Sequence, residues 1–213
     1  MKTRNFDVFT SSDRVKARDD IRSLVLVGVF IAIMAVLTIT NVGIITVNVV
    51  SITILHIPVI IASLTLGPSY GGITGLAFGI MSMLNATFRG ATPADLMFTP
   101  FGPANKPIQS IILCIGPRIL LGILPFFIYI GLKKLFKKEH LSVAVSAGLS
   151  SALHTIMVLS LLYFLFFKDM SFAEVLKTVF LAVIGINGVV EMCAAILLCT
   201  AITIPLKRFV IKK

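Results

Sequence analysis

The sequence predicts an all-α integral membrane protein, a bundle of six transmembrane helices whose N- and C-termini both face the cytoplasm. Hydrophobic residues make up 57% of the 213 residues, whereas charged residues make up only 13%. A soluble domain would carry roughly a quarter charged residues. The basic residues gather at the ends of apolar stretches, which is typical of membrane orientation and argues against nucleic-acid binding despite the net charge of +10.

Six apolar stretches are the candidate helices, at about 23–40, 49–66, 70–86, 108–132, 141–167 and 178–206. A helix needs roughly 20 apolar residues to cross the hydrocarbon core, and these stretches do not alternate as strands would. Glycine and proline at 67–72 predict a tight turn that makes the second and third helices an antiparallel pair. Residues 1–20 are polar and are expected to form a cytoplasmic tail, followed by a single transmembrane domain at 21–213.

The orientation follows from the distribution of Lys and Arg. Fourteen of the nineteen lie in the N-terminal tail, after the fourth helix and at the C-terminus, and four lie on the opposite side. The more basic side is expected to face the cytoplasm. The 87–107 connection would then lie outside. Its length and its prolines favour a lid or binding loop over a plain surface connection.

Polar residues within the apolar stretches indicate where function resides, because charges at membrane depth are costly and normally face the bundle interior or a wet cavity. At 1.5 Å per residue, Arg118 lies about 16 Å and Glu191 about 20 Å from the outer ends of their helices. A cavity open to the outside would suit a small polar solute, whose carboxylate Arg118 could bind bidentately. The other candidate substrate-binding residues are Asn41, Asn85, His154 and Asn187.

A structural interpretation of the same residues competes with this one. Arg118 and Glu191 would form an ion pair, and His154 and Asn187 would hydrogen-bond neighbouring helices. His56 is as suited to a bond with a neighbouring helix as to a ligand, and it is left outside the predicted site.

Two stripes of small residues predict close helix packing. Glycine recurs every four residues from Gly71 to Gly79 in the third helix, where internal packing is expected. In the first helix Gly28, Ala32 and Ala35 form a second stripe, which either packs internally or faces a partner subunit.

The sequence offers little support for catalysis. It contains no phosphate-binding G-x-x-x-x-G-K-[ST] loop, no H-E-x-x-H and no aspartate cluster for a metal, and its three cysteines lack metal-like spacing. The chain is therefore not expected to be an enzyme or to carry a metal or cofactor. No inverted repeat is evident, so a stand-alone secondary transporter is poorly supported as well.

The stretch Leu55–Gly72, LHIPVIIASLTLGPSYGG, with further glycines at 75 and 79, resembles the substrate-binding S components of energy-coupling-factor (ECF) vitamin transporters, most of all the pantothenate-type branch. The likeness covers most of the chain. It implies a protein of the bacterial plasma membrane that captures a vitamin from outside. It also implies docking onto a transmembrane T subunit driven by two cytoplasmic ATPases, and toppling in the membrane to release the vitamin inside.

The resemblance also implies roles for particular residues. The stripe at Gly28, Ala32 and Ala35 corresponds to the family's docking stripe, with glycine in place of its first alanine. The family's ligand site lies among helices 4–6, under the loop between helices 1 and 2, and corresponds here to Arg118, His154, Asn187 and Glu191, with Asn41 and Asn48 in the loop and Asn85 at the rim.

Pantothenate is the expected substrate, because Arg118 could bind its carboxylate. The alternatives are an S component for riboflavin, a pyridoxine-related compound or folate, and a structural or regulatory membrane subunit without a ligand.

Overall fold

The computed structural model describes residues 11–40, 44–47, 50–90, 95–103, 105–167 and 188–210. This part of the chain contains six α-helices and an antiparallel two-stranded hairpin. In chain order the helices are α1 (Ser11–Ile39), α2 (His56–Leu66), α3 (Pro68–Arg89), α4 (Pro107–Leu135), α5 (Glu139–Phe166) and α6 (Val189–Val210). The hairpin consists of β1 (Ile44–Val47) and β2 (Val50–Thr53), and a short 3₁₀ helix covers Asp95–Met97.

Five of the helices are long and apolar enough to cross a membrane, over residues 20–39, 68–89, 107–135, 139–166 and 189–209. The predicted helical membrane protein is therefore confirmed, whereas the count of six spans and the orientation stay predictions. Because α1 begins at Ser11, part of the predicted tail is helical. The 168–177 loop and the predicted start of the last helix at 178 lie outside the described residues.

The second predicted span is wrong in its first part. Residues 50–53 form β2, and α2 has only 11 residues. At 1.5 Å per residue this helix measures about 16 Å, roughly half the thickness of the hydrocarbon core. The 44–53 segment is rich in valine, isoleucine and threonine, whose β-branched side chains favour strands, and apolar composition alone does not reveal this preference. All of α2 except Leu66 is buried, so α2 is an interior helix.

The predicted turn between α2 and α3 is confirmed at Gly67 alone, because residues 68–72, which were also predicted to belong to the turn, are already part of α3. The φ of Gly67, 101°, lies in the region that favours glycine, and its N–H donates to the Ser63 carbonyl at 3.1 Å. Pro68 then begins α3, where a missing N–H does no harm. The letters GPSYG at 67–71 match the G-x-S-x-G pattern of hydrolases. Here they join two helices rather than a strand and a helix, so they do not build a nucleophile elbow.

Glycines of α3 allow its backbone to pack directly against that of α4. A Cβ atom at Gly71 would clash with the backbone of Gly122, and one at Gly75 would clash with the carbonyl of Arg118. A Cβ at Gly79 would lie 3.0 Å from another carbonyl oxygen of α4. The predicted internal packing of this stripe is confirmed, and it brings α3 against the turn of α4 that carries Arg118.

A cluster of polar contacts joins α4, α5 and α6 at the end where α4 and α6 finish. Lys207 Nζ lies 3.5 Å from the centroid of the Tyr129 ring and 4.0 Å from Glu139 Oε1. The Tyr129 hydroxyl donates to the same carboxylate oxygen at 3.3 Å. Each helix contributes one residue, so these contacts fasten together the three helices that carry Arg118, His154 and Glu191.

Candidate functional site

Arg118 is buried on α4, with 6% of its surface exposed. It follows Pro117, which lacks the N–H that would bond to the Leu113 carbonyl in a regular helix. That carbonyl instead accepts a hydrogen bond from Arg118 Nη1 at 2.9 Å. The Pro-Arg pair therefore fastens one end of the guanidinium to its own helix.

The rest of the guanidinium meets α3 and the connection between α3 and α4. Its carbon lies 5.5 Å from the ring centroid of Phe78 and 5.0 Å from that of Phe98, within the range of cation–π attraction. Arg118 Nη2 donates a long bond of 3.4 Å to Ser82 Oγ, and the buried Nε has no partner among the described residues. Nε and Nη2 are parallel donors, so this edge retains capacity for a bidentate carboxylate.

Phe98 is held beside Arg118 by bonds between its own segment and the helices. Cys114 Sγ donates to the Phe98 carbonyl at 3.0 Å, and the hydroxyls of Thr87 and Thr99 lie 2.8 Å apart. The described part of the α3–α4 connection therefore packs against the Arg118 side chain. Its predicted role as a lid stays a prediction.

Two buried histidines lie on α2 and α5. The ring of His154 has its centroid 6.2 Å from that of Phe78. His56 Nδ1 lies 2.8 Å from the Thr53 carbonyl oxygen and must donate to it, because a carbonyl only accepts. In a neutral ring the other nitrogen, Nε2, is then an acceptor. The Nε2 atoms of both histidines are buried and have no hydrogen-bond partner in the part of the chain that the structure describes.

Glu191 connects α6 to the hairpin. It lies in the first turn of α6 and is half-buried. Its Oε1 accepts a hydrogen bond from the backbone N–H of Thr53 at 2.8 Å. Thr53 is the last residue of β2, so its N–H fastens the hairpin to α6 while its carbonyl fastens it to His56 on α2.

Arg118, His56, His154 and Glu191 are connected by charge interactions and are called the Arg118 cluster below. Arg118 interacts with Glu191 and His154, and His56 interacts with the same two residues. Within the described ranges an ion pair joins Lys207 to Glu139 at 4.0 Å, and no ion pair within this distance joins Arg118 to Glu191. The direct structural ion pair considered from the sequence is therefore not formed.

The predicted amides have different outcomes. Asn85 is half-buried on α3, and its buried Oδ1 has no partner within the described ranges. Asn41 and Asn187 lie outside the described residues, as does Asn48. The ligand-binding role of all six predicted residues stays a prediction.

Sequence reasoning did not include His56 or Phe98 in the site. A histidine before a proline in an apolar helix gave a signal, but its depth alone could not distinguish a ligand contact from a helix contact. Phe98 gave no signal, because an apolar residue in a connection is recognised only once the chain folds back onto Arg118.

The small residues of α1 lie toward its open side. Gly28 and Ala32 are exposed, Ala35 is half-buried, and a Cβ at Gly28 would meet nothing within 4 Å. The buried residues of α1 include Val27, Phe30 and Met34. Within the described bundle Gly28 and Ala32 do not pack internally, which favours the second sequence alternative, a face that meets a partner.

Comparison with known proteins decides the family. The model of the family described as "ECF transporter, substrate-specific component" matches residues 22–206. The chain belongs to this family. One relative is the "Pantothenic acid transporter PanT" of Lactococcus lactis subsp. cremoris (strain MG1363), which is 32% identical over 183 residues, 83% of this chain and 89% of the relative.

Membership of the ECF family confirms the function predicted from the LHIPVII motif. The chain is a multi-pass membrane protein and the substrate-specific component of an ECF transporter. The family consists of transporter components rather than enzymes. The matched range contains the four ionisable residues around Arg118 and the small residues of α1.

Proposed function

We propose that the chain is the pantothenate-binding S component of an ECF importer in a bacterial plasma membrane, with both termini in the cytoplasm. The observation that carries the proposal is the guanidinium edge of Arg118, where Nε has no described partner and Nη2 makes one long bond. Leaving a buried charge without compensation costs several kcal/mol. An anionic ligand would supply that compensation, and the relative is named for pantothenic acid, an anion at neutral pH.

The functional groups of pantothenate match the chemistry of the cluster. The ligand carboxylate would accept from Nε and Nη2 of Arg118, as a charge-assisted bidentate pair. Its two hydroxyl groups, each able to donate or accept, would bond the Nε2 atoms of His56 and His154, which have no partner among the described residues. Its amide N–H would donate to the carboxylate of Glu191, and Asn85 would bond at the rim.

The aromatic composition favours a small ligand over a large ring system. The chain contains no Trp and only three Tyr, so a flavin or pterin would have to stack on phenylalanine. The two rings that lie against Arg118, Phe78 and Phe98, already contact its guanidinium. They are better suited to hold that cation in place than to receive a flat aromatic ligand.

The open face of α1 is the proposed docking surface for the T subunit, which two ATPases would drive. Small residues permit close approach of two helix backbones, and Gly28 and Ala32 are exposed there. Apolar side chains that are also exposed on α1 would complete the contact: Val25, Val29, Ile33 and Val36.

Calorimetric titration of the purified protein tests the substrate. Among pantothenate, riboflavin, pyridoxine and folate, binding heat is expected with pantothenate alone. The expected dissociation constant is in the nanomolar range, which corresponds to a binding free energy of about −12 kcal/mol. Tight binding of another of these vitamins would retain the S-component function and replace the substrate. Absence of heat with all four would favour the structural or regulatory subunit. Mass spectrometry of any vitamin that co-purifies provides an independent identification.

A further inference from the structure

Arg89, at the C-terminal end of α3, caps the C-terminal end of α1. Arg89, the last residue of α3, donates from Nη1 to the Ile39 carbonyl at 2.7 Å and to the Thr38 carbonyl at 3.2 Å. The last carbonyls of a helix have no donor within the helix, and a cation there interacts favourably with the helix dipole. Arg89 therefore caps α1 at the residue where the chain leaves for the hairpin.

The capped end of α1 and the Arg118 cluster are linked through the hairpin. From Ile39 the chain runs through β1 and β2 to Thr53, whose N–H bonds Glu191 and whose carbonyl bonds His56. Arg89 thus fastens the end of α1, before the hairpin, to α3, and Thr53 fastens the end of the hairpin to α6 and α2. If the bonds from Arg89 to α1 are lost, the bonds of Thr53 to Glu191 and His56 have to restrain the hairpin without them.

We propose that Arg89 is a positioning residue for ligand binding, which holds the end of α1, from which the chain leads into the hairpin, so that Thr53 keeps Glu191 and His56 in their binding geometry. This inference rests on the proposed function, since it assumes that the cluster receives the vitamin. It assigns to Arg89 a role at a distance from the ligand. The same bonds also join α1, the proposed docking helix, to α3, which carries Phe78 and Ser82 beside Arg118.

A second cap in the same structure supplies a matched control. Lys106, which immediately precedes α4, donates from Nζ to the Leu165 carbonyl at the end of α5 and lies 5.7 Å from the ring centroid of Phe166. It closes a helix end much as Arg89 does. Among the residues that the structure describes, Lys106 makes no bond to α1 or to the hairpin. A general loss of helix capping should therefore affect Lys106 and Arg89 variants alike, whereas loss of hairpin positioning should affect Arg89 variants alone.

The experiment compares wild type, Arg89→Met, Arg89→Lys and Lys106→Met, each as the full chain in lipid nanodiscs. Hydrogen exchange with mass spectrometry reports the backbone of residues 36–56, and rapid mixing gives the association and dissociation rates of pantothenate. We expect Arg89→Met to accelerate exchange in this segment and to raise the dissociation rate about tenfold, without slowing association. Arg89→Lys should lie between Arg89→Met and wild type, and Lys106→Met should match wild type in the hairpin.

Three outcomes would overturn the inference: unchanged dissociation in Arg89→Met, unchanged hairpin exchange in that variant, or equal acceleration of hairpin exchange in Lys106→Met. Arg89→Lys retains the charge and provides the test if Arg89→Met does not fold. A wild-type protein that binds no vitamin would instead contradict the proposed function. Hydrogen exchange would still decide whether Arg89 restrains the hairpin.

Discussion

Removal of the Arg118 guanidinium tests the ligand cluster most directly. In Arg118→Ala a bound carboxylate would lose its two donors, Nε and Nη2, at a buried position. Truncating one partner of a buried charged pair costs about 2–5 kcal/mol. We therefore expect the dissociation constant for pantothenate to rise at least about 30-fold, the equivalent of about 2 kcal/mol. Calorimetry or competition binding measures the change.

The same substitution also affects the fold, and the two effects have to be separated. Because Pro117 cannot donate to the Leu113 carbonyl, Arg118→Ala removes the Nη1 donor from that oxygen. A buried acceptor left without its partner costs about 1–3 kcal/mol of stability. Thermal unfolding of the ligand-free protein reports this structural part, which should be the same whichever ligand is tested afterwards.

A ligand that lacks the carboxylate, tested together with Arg118→Ala, completes a thermodynamic double-mutant cycle. In the alcohol analogue of pantothenate, a hydroxymethyl group replaces the carboxylate and keeps the rest of the molecule. If Arg118 binds the carboxylate, Arg118→Ala should weaken the binding of pantothenate strongly and the binding of the analogue only slightly. The difference between the two losses of binding free energy is the coupling energy. Equal losses for both ligands would show that Arg118 acts only through the fold, and unchanged affinity for both would remove it from the site.

Four further substitutions test other parts of the structure. Gly71→Ala should destabilise the bundle by more than about 1 kcal/mol, because the new Cβ clashes with the backbone of Gly122. Gly28→Ala, whose Cβ meets nothing within 4 Å, should leave the stability unchanged or raise it by up to about 1 kcal/mol. Thermal unfolding compares the stabilities of the two variants. Ala32→Leu should block assembly with the T subunit and leave vitamin binding intact, and co-purification at wild-type yield would exclude the α1 stripe from docking. His154→Phe should weaken the binding of pantothenate about fivefold by removing the unpartnered Nε2 atom, and unchanged affinity in a titration would take His154 out of the site.

Most of the helical architecture was predictable because membrane-spanning helices have a strong local signal. Runs of apolar residues long enough to cross a bilayer indicated α3, α4 and α5 to within a few residues. The turn at Gly67 followed from glycine and proline. The exception was the 44–53 segment, which is as apolar as a helix but forms a hairpin whose final residue bonds Glu191 and His56.

The candidate site was predictable only in part. Arg118, His154 and Glu191 were indicated individually by the cost of polar groups at membrane depth, and the structure connects them electrostatically. Their actual partners were not predictable. Glu191 bonds a strand residue 138 positions away, and such a partner is chosen by packing rather than by local sequence. Arg118 instead bonds a carbonyl of its own helix that Pro117 leaves free, and membrane depth alone gives no sign of this bond.

The amino-acid sequence by itself determined the class of protein, the family and the short set of buried polar residues, because hydropathy, charge placement and the LHIPVII motif are local properties of the chain. The tertiary structure alone decided which atoms of those residues are left without partners. It also decided that Phe98 lies against Arg118, that the α3 glycines face α4 while Gly28 faces outward, and that Arg89 caps α1. The physical reason is that each of these facts depends on the distance between segments remote in sequence, and such distances are set by the packing of whole helices.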